Sequence, residues 1–416
     1  MKRATSILLT FIILQFLPTN ELSAQGHSNL MPLSETAWAG LITCEPSNEL
    51  YTSFSHTALH ICDTAYGINL VYNYGTFDFG TPHFVWKFAT RTLDYCLSRE
   101  PYVAFIADYT EQRRAVWEQR LRLSHQEVCN LFVMLEYNYL PENRWYRYDF
   151  FRDNCATRIR DIIVASLDHR KMDYPTGDCT GKSYRDIVYT TNADRQWWRL
   201  TIDLALGARC DRDRSTFECA VLPLEMMRQF DTLTVSDTQE PLTEPAVQLL
   251  KDRREPLGHS PSPTITFWLL FFATLTLTLI GKKKGWTLRW LDFALYIIPA
   301  LLSLLAMFLW FGSEHYCTRW NLNLLWASPL FLYLAPAVLC VGRNHILSRI
   351  YLITAFIQIG FLLAAIGMMA TGWPQHLNSA VLPISLTLFT RLATNLSRQR
   401  EKKIRHHINH KQRKTA

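Results

Sequence analysis

Five apolar segments, at 264–280, 290–311, 325–341, 349–370 and 380–396, constrain this chain more than any other feature. Each is long enough, or nearly so, to cross a hydrocarbon core of roughly 30 Å at about 1.5 Å per residue. Together they predict an all-α membrane domain of about five transmembrane helices. The charges between them set its orientation. Lys282, Lys283, Lys284 and Arg289 follow the first segment, Arg343 and Arg349 the third, and Arg398–Lys414 is a basic tail after the fifth. The loops Ser313–Asn323 and Thr371–Ser379 carry a single Arg between them. Every basic connection therefore falls on one side, which the positive-inside rule makes cytoplasmic. An odd number of spans then puts residues before 264 on the opposite side and the tail 398–416 in the cytoplasm.

The N-terminus agrees. Met1-Lys2-Arg3 and the apolar Ile7–Leu17 read as the n- and h-regions of a signal peptide over 1–24, with Leu22-Ser23-Ala24 as a small-residue cleavage site. An N-terminal anchor is the alternative, and either way residues 25–260 are exported. The 416 residues allow two or three domains, read as an exported domain (25–230), a linker rich in Thr, Pro, Asp and Glu (231–263), and the membrane domain (264–397). Much of the +7 formal charge lies in basic runs beside apolar segments, which does not favour nucleic-acid binding. Eight of the ten cysteines (Cys44, Cys62, Cys96, Cys129, Cys155, Cys179, Cys210 and Cys219) fall in the exported part, where disulfides persist; Cys210 and Cys219, flanking a turn-like run, are the easiest local pair.

Within the exported part, a strand starting near Ser55-His56-Thr57 runs to Cys62, a turn spans Asp63–Gly67, and a second β-rich run covers Ile68–Tyr74. Phe84–Phe88 and Tyr102–Tyr109 are expected as further strands or strand edges. Ser124 and Glu127 form a capping-box signal for a helix to about Tyr139, ended by Pro141. Ser183–Leu206 and Phe217–Phe230 read as two more helices. The class is α+β, an antiparallel sheet with packed helices.

Phe151-Arg152-Asp153-Asn154-Cys155-Ala156-Thr157-Arg158 sets a cysteine among polar groups, with Ile159, Ile162 and Ile163 following on one helix face. Asp153 or Asn154 would cap that helix and leave Cys155 in its first turn. Unpaired N–H groups and the positive end of the helix dipole favour an anion there, hence a thiolate. Nucleophilic cysteine chemistry also needs an imidazole and a group that orients it. Among His27, His56, His60, His83, His125 and His169, His56 is the candidate base because it opens a strand beside Ser55 and Thr57. His60 shares its face further along. A hairpin centred near Ala65 brings His56 opposite Asn73 or Tyr74, the first candidates for its orienting residue, with Asp78 in reserve. The helix start would supply oxyanion donors around Asn154. Arg152 and Arg158 could meet a phosphate headgroup, although solvated arginines are the plainer reading. Asn321 and Asn323, near the start of a span, read as caps rather than substrate contacts. No Cys/His spacing suggests zinc, and no cofactor is expected. A structural cysteine beside a hydrogen-bonded histidine is the plain alternative to catalysis.

A strand histidine before a helix cysteine reverses the order of papain and resembles the circularly permuted papain-like proteins. These include the NlpC-type permuted group and the lecithin:retinol acyltransferase group, whose Asn-Cys nucleophile takes acyl chains from phospholipids. Asn154-Cys155 matches that pair, while the Ala-Thr-Arg that follows departs from the group's sequence. A closer resemblance covers most of the chain. His56–Ile61, Tyr72–Phe79, Phe151–Asp161, Leu206-Gly207 through Leu222-Pro223, and Trp320-Asn321-Leu322-Asn323 resemble the Lnb family of bacterial lipoprotein N-acyltransferases. That resemblance implies a permuted papain-like periplasmic domain on an inner-membrane bundle. It also implies acyl transfer from a membrane phospholipid, through a Cys155 thioester with His56 as base, to the α-amino group of a diacylated apolipoprotein. A membrane-tethered cell-wall peptidase or amidase, and a non-enzymatic binding or sensor protein, are the competing expectations.

Overall fold

The computed structural model describes residues 33–47, 49, 53–175, 180–255, 258, 260–342 and 344–415, with 402–415 by backbone alone. The signal-peptide reading of 1–24, His27 and Cys179 lie outside the described residues.

In chain order the N-terminal domain runs β1 (Trp38–Cys44), β2 (His56–Asp63), β3 (Ile68–Thr76), α1 (Phe84–Thr90), β4 (Asp94–Pro101), α2 (Tyr102–Glu111) and β5 (Val116–Arg120). It continues with α3 (His125–Tyr139), β6 (Trp145–Arg147), α4 (Cys155–Ser166), α5 (Tyr184–Thr191), α6 (Gln196–Ala205), α7 (Thr216–Cys219), α8 (Pro223–Phe230) and β7 (Val247–Leu250). The seven strands form one sheet in the order β6-β4-β3-β2-β1-β5-β7, with every neighbour antiparallel. Period-two alternation gives the sheet two apolar faces. Leu41, Leu59, Ile61, Tyr72 and Tyr74 pack under α3, α4 and α8, whereas Ile42, Cys44, Ala58 and Val71 pack against Phe105 and Tyr109 of α2. The Ser124–Glu127 capping box starts α3, and such a cap is worth about 1 kcal/mol. Ile159, Ile162 and Ile163 of α4 are buried on the sheet, each contributing about 1.5–3 kcal/mol.

Several expectations change. Phe84–Phe88 and Tyr102–Tyr109 are helical, because the aromatic residues that suggested strands work at helical spacing. Phe84 stacks on Phe88 at 6.3 Å and Phe105 lies 4.7 Å from Tyr109, each an i,i+4 pair. The stretch Ser183–Leu206 breaks between α5 and α6 at Asn192–Arg195. Pro223, which cannot continue a helix but suits its first turn, starts α8 afresh after the short α7. Part of the 231–263 stretch packs onto the domain: β7 pairs with β5 and Leu121 bridges Thr243. Cys210 and Cys219 are not bonded to each other; the Cys210 thiol donates to the Cys317 carbonyl at 3.4 Å.

The C-terminal domain is helical: α9 (Pro263–Lys284), α10 (Arg289–Phe311), α11 (Leu330–Cys340), α12 (His345–Thr371) and α13 (Val381–Thr415). Among the described residues, four segments are long and apolar enough to cross a membrane: Pro263–Lys284, Arg289–Phe311, Tyr316–Cys340 and His345–Thr371. The fifth apolar run opens α13. The third contains only 11 helical residues, about 16 Å of rise, preceded by 3-10 turns at Tyr316–Thr318 and Leu322–Leu325. Asp292 and Arg391, both fully buried, pair at 2.6 Å and join α10 to α13. Thr278 of α9 accepts from Arg391 at 2.8 Å, and Asn395 donates to Asp292 at 2.9 Å.

The two domains share hydrogen bonds. Gly207 N donates to Cys317 O at 2.8 Å and Ala208 N to Trp320 O at 3.0 Å. Asn321 and Asn323, both buried, donate to the carbonyls of Leu204 and Asp203 at 2.7 and 2.9 Å. Asn321 Oδ1 also caps its 3-10 turn by accepting from Asn323 N. These asparagines therefore bind the exported domain to the membrane domain besides capping.

Candidate active site around Cys155

The site lies where β2 and β3 part. Their paired residues run from Leu59–Tyr72 to Asp63–Ile68, so Thr57 and His56 extend beyond the ladder. At the corresponding end of β3 the register slips between Tyr74 and Thr76, and Gly75 has φ +94°. The start of α4 fills this opening. Asn154 caps it, its Oδ1 accepting from Thr157 N at 2.9 Å while its Nδ2 donates to Phe150 O and Val221 O at 2.8 Å each. The Asn154 side chain is fully used as an anchor and has no donor left for a substrate.

Cys155 is buried. The backbone N–H groups of Thr57, Ala156 and Cys155 itself and the Tyr148 hydroxyl lie near its thiol and favour the thiolate. Burial nevertheless dominates and pushes the thiol up to about 11, those donors working in the opposite direction. At neutral pH the resting cysteine is thus a thiol, not the thiolate that a helix start alone suggests. Desolvation outweighs the helix dipole here.

His56 meets the expected β3 neighbour. Its Nε2 lies 3.0 Å from Asn73 Oδ1, and Asn73 Nδ2 donates to Glu100 Oε1 at 2.6 Å. The carboxylate takes the amide N–H, so the amide oxygen faces the imidazole, Nε2 carries the proton, and Nδ1 keeps its lone pair. Burial pushes His56 down to about 4, against the Asn73 bond, so the ring is neutral at pH 7. Among the described residues no hydrogen bond joins the His56 ring to the Cys155 thiol. The donor nearest the thiol from this strand is instead the N–H of Thr57, the peptide group directly after His56, which favours the thiolate.

The remaining candidates separate. Tyr74 is a core residue whose hydroxyl accepts from Asn138 at 2.8 Å. Asp78 is exposed and holds the turn at Gly80 N, 2.7 Å. His60 sits between Glu118 at 2.6 Å and Asn69 at 2.7 Å, stacked on Tyr102. Arg158 is held by Asp153 at 2.5 and 2.9 Å and lies 3.6 Å over the Tyr146 ring. Arg152 turns away onto Tyr316 of the membrane domain, 3.5 Å from the ring centroid.

Four residues at the site were not singled out from sequence: Gly75, Glu100, Tyr146 and Tyr148. A Cβ on Gly75 would meet Cys155 Cβ and Tyr148 Cε2 at 3.7 Å and the Tyr146 hydroxyl at 3.9 Å. The missing side chain thus leaves a space beside Cys155. The Tyr146 hydroxyl at its edge is buried and has no hydrogen-bond partner among the described residues. The one available signal was the Trp145-Tyr146-Arg147-Tyr148 alternation, which puts both tyrosines on one face shortly before the cysteine. Among the described residues no group of three or more His, Cys, Asp or Glu is placed to hold a metal ion.

Residues 33–180 match the family model described as the Lnb N-terminal periplasmic domain, and residues 255–403 match the one described as the Lnb transmembrane domain. No curated protein and no solved structure matches the chain.

Proposed function

The chain belongs to the Lnb family, an inner-membrane protein with a periplasmic N-terminal domain, and from that premise we propose that it is a lipoprotein N-acyltransferase acting through a Cys155 thioester. The observation that carries this reading is the buried Cys155 thiol, ringed by N–H and O–H donors next to the His56–Asn73–Glu100 chain. We read the exported domain as circularly permuted papain-like, supported by the strand histidine preceding the helix cysteine against an antiparallel sheet. The bundle is read as five spans with a cytoplasmic C-terminus, as the loop charges require.

In the first half-reaction a side-chain rotation brings His56 Nδ1 to the thiol. Sγ attacks the ester carbonyl of a membrane phospholipid as its proton passes to Nδ1. The carbonyl oxygen becomes an oxyanion, stabilised by the N–H groups around Cys155 and by the free Tyr146 hydroxyl. Collapse breaks the ester C–O bond, and the lysophospholipid leaves with the proton from His56. In the second half-reaction the α-amino group of the diacylated N-terminal cysteine of an apolipoprotein attacks the thioester. His56 takes the amine proton and returns it to the departing thiolate. Asn73 and Glu100 fix the ring tautomer throughout. No cofactor enters either step.

The deciding experiment replaces Cys155 by Ser or Ala and follows a model lipoprotein's N-terminus by mass spectrometry. Loss of conversion from diacylated to triacylated product, with a hydroxylamine-labile acyl group on wild-type Cys155, is expected. Unchanged conversion in the variant overturns the proposal.

A further inference from the structure

Helix α1 turns apolar side chains outward beside the membrane domain. Val85 is 77% exposed, Trp86 61%, and Phe79, just before the helix, 58%. The Trp86 ring lies 5.3 Å from Phe308 in the last turn of α10. Farther along α10, Leu301, Leu304, Leu305 and Phe311 are also exposed. The exposed side of α1 is therefore continuous with the surface that a bilayer covers. Isolated exposed apolar residues are ordinary, but a contiguous set with a tryptophan at a membrane boundary marks a lipid contact. Lys87, on the same helix, makes no ion pair among the described residues and suits a lipid phosphate.

From α1 a line of aromatic rings leads inward. Phe88 lies 5.9 Å from Phe150, and Phe150 lies 5.8 Å from Tyr148, whose hydroxyl acts on the Cys155 thiol to favour its thiolate. His315 of the membrane domain closes the other side, 5.0 Å from Phe150, its Nε2 donating to Phe88 O at 2.9 Å. These side chains line a small recess of about 10 Å³, room for about one water, that opens to solvent.

We propose that α1 sits in the periplasmic leaflet of the inner membrane and forms, with the last turn of α10, the passage by which a phospholipid acyl chain reaches Cys155. The membrane contact stands on exposure and continuity alone; what moves along the passage rests on the acyl-transfer reading above.

The test uses the full chain in phosphatidylethanolamine/phosphatidylglycerol nanodiscs doped with a phosphatidylcholine carrying a diazirine in its acyl chain. After irradiation, peptide mapping is expected to find lipid adducts on 79–88 as well as on 298–311. Tyr66, 51% exposed at the far end of the β2–β3 hairpin, is expected to carry none. Adducts on 298–311 with none on 79–88 overturn the proposal, as does equal labelling of Tyr66. Val85→Asp combined with Trp86→Asp is expected to abolish the adducts on 79–88 and raise KM for the phospholipid donor about tenfold, leaving hydrolysis of a soluble short-chain ester unchanged. Equal loss on both substrates overturns the passage. Cross-linking needs no turnover, so its failure is distinguishable from retained activity in Cys155→Ala, which overturns acyl transfer instead.

Discussion

At the scale of residues, the site is governed by burial. Cys155 rests as a thiol and His56 as a neutral ring, each shifted chiefly by desolvation, to about 11 and about 4. Since only the thiolate reacts with alkylating agents, iodoacetamide modification of Cys155 should accelerate about tenfold per pH unit between pH 7 and 10. Peptide-level mass spectrometry reads that rate, and a plateau near neutral pH would mean a thiolate–imidazolium pair at rest. The Tyr146 hydroxyl, buried beside the space at Gly75 without a hydrogen-bond partner among the described residues, is expected to donate to the oxyanion. Tyr146→Phe should lower kcat about 10²-fold, the usual cost of one such donor, with little change in KM or thermal stability. The placement of Cys155 at a capped helix start and of His56 at a strand opening was legible in sequence because both are local patterns. The contacts of Gly75, Glu100 and Tyr146 were not, because they depend on neighbours brought in from other strands.

At the scale of elements, α4 and α3 could be read directly from capping residues and isoleucine or leucine spacing. Helices α1 and α2 could not, because β-prone aromatic residues also make good i,i+4 pairs and only packing decides between the two. The Gly207 turn shows how tightly one element can be held. A Cβ there would lie 2.0 Å from the Arg319 carbonyl oxygen, and the Gly207 N–H bonds Cys317 O. Gly207→Ala must push the two backbones apart, at a cost of about 1–3 kcal/mol for overpacking. Limited proteolysis of the detergent-solubilised variant should show faster cleavage near 207–223 or 312–320. A wild-type pattern would mean the junction contributes nothing to holding the domains together.

At the scale of the whole molecule, the membrane bundle depends on a buried ion pair. Asp292 and Arg391 have no exposure, and Thr278 and Asn395 complete their hydrogen bonding across α9, α10 and α13. Removing one partner strands the other charge, so Asp292→Ala should destabilise the bundle by about 3–5 kcal/mol. Replacing both, as Asp292→Leu with Arg391→Met, should recover most of the loss in thermal unfolding. Failure to recover would assign the pair a role other than mutual compensation.

The sequence by itself determined the division into an exported α+β domain and a helical membrane domain, the family, the His56 strand and the capped Cys155 helix. All of these follow from local periodicity, capping chemistry, charge placement or quoted motifs. Only the tertiary structure decided that Asn73 rather than Tyr74 contacts His56, that the third apolar run is helical over just Leu330–Cys340, and that Cys155 is a thiol at rest. These outcomes come from desolvation and from contacts between residues far apart in the chain, and neither is written in the spacing of neighbours.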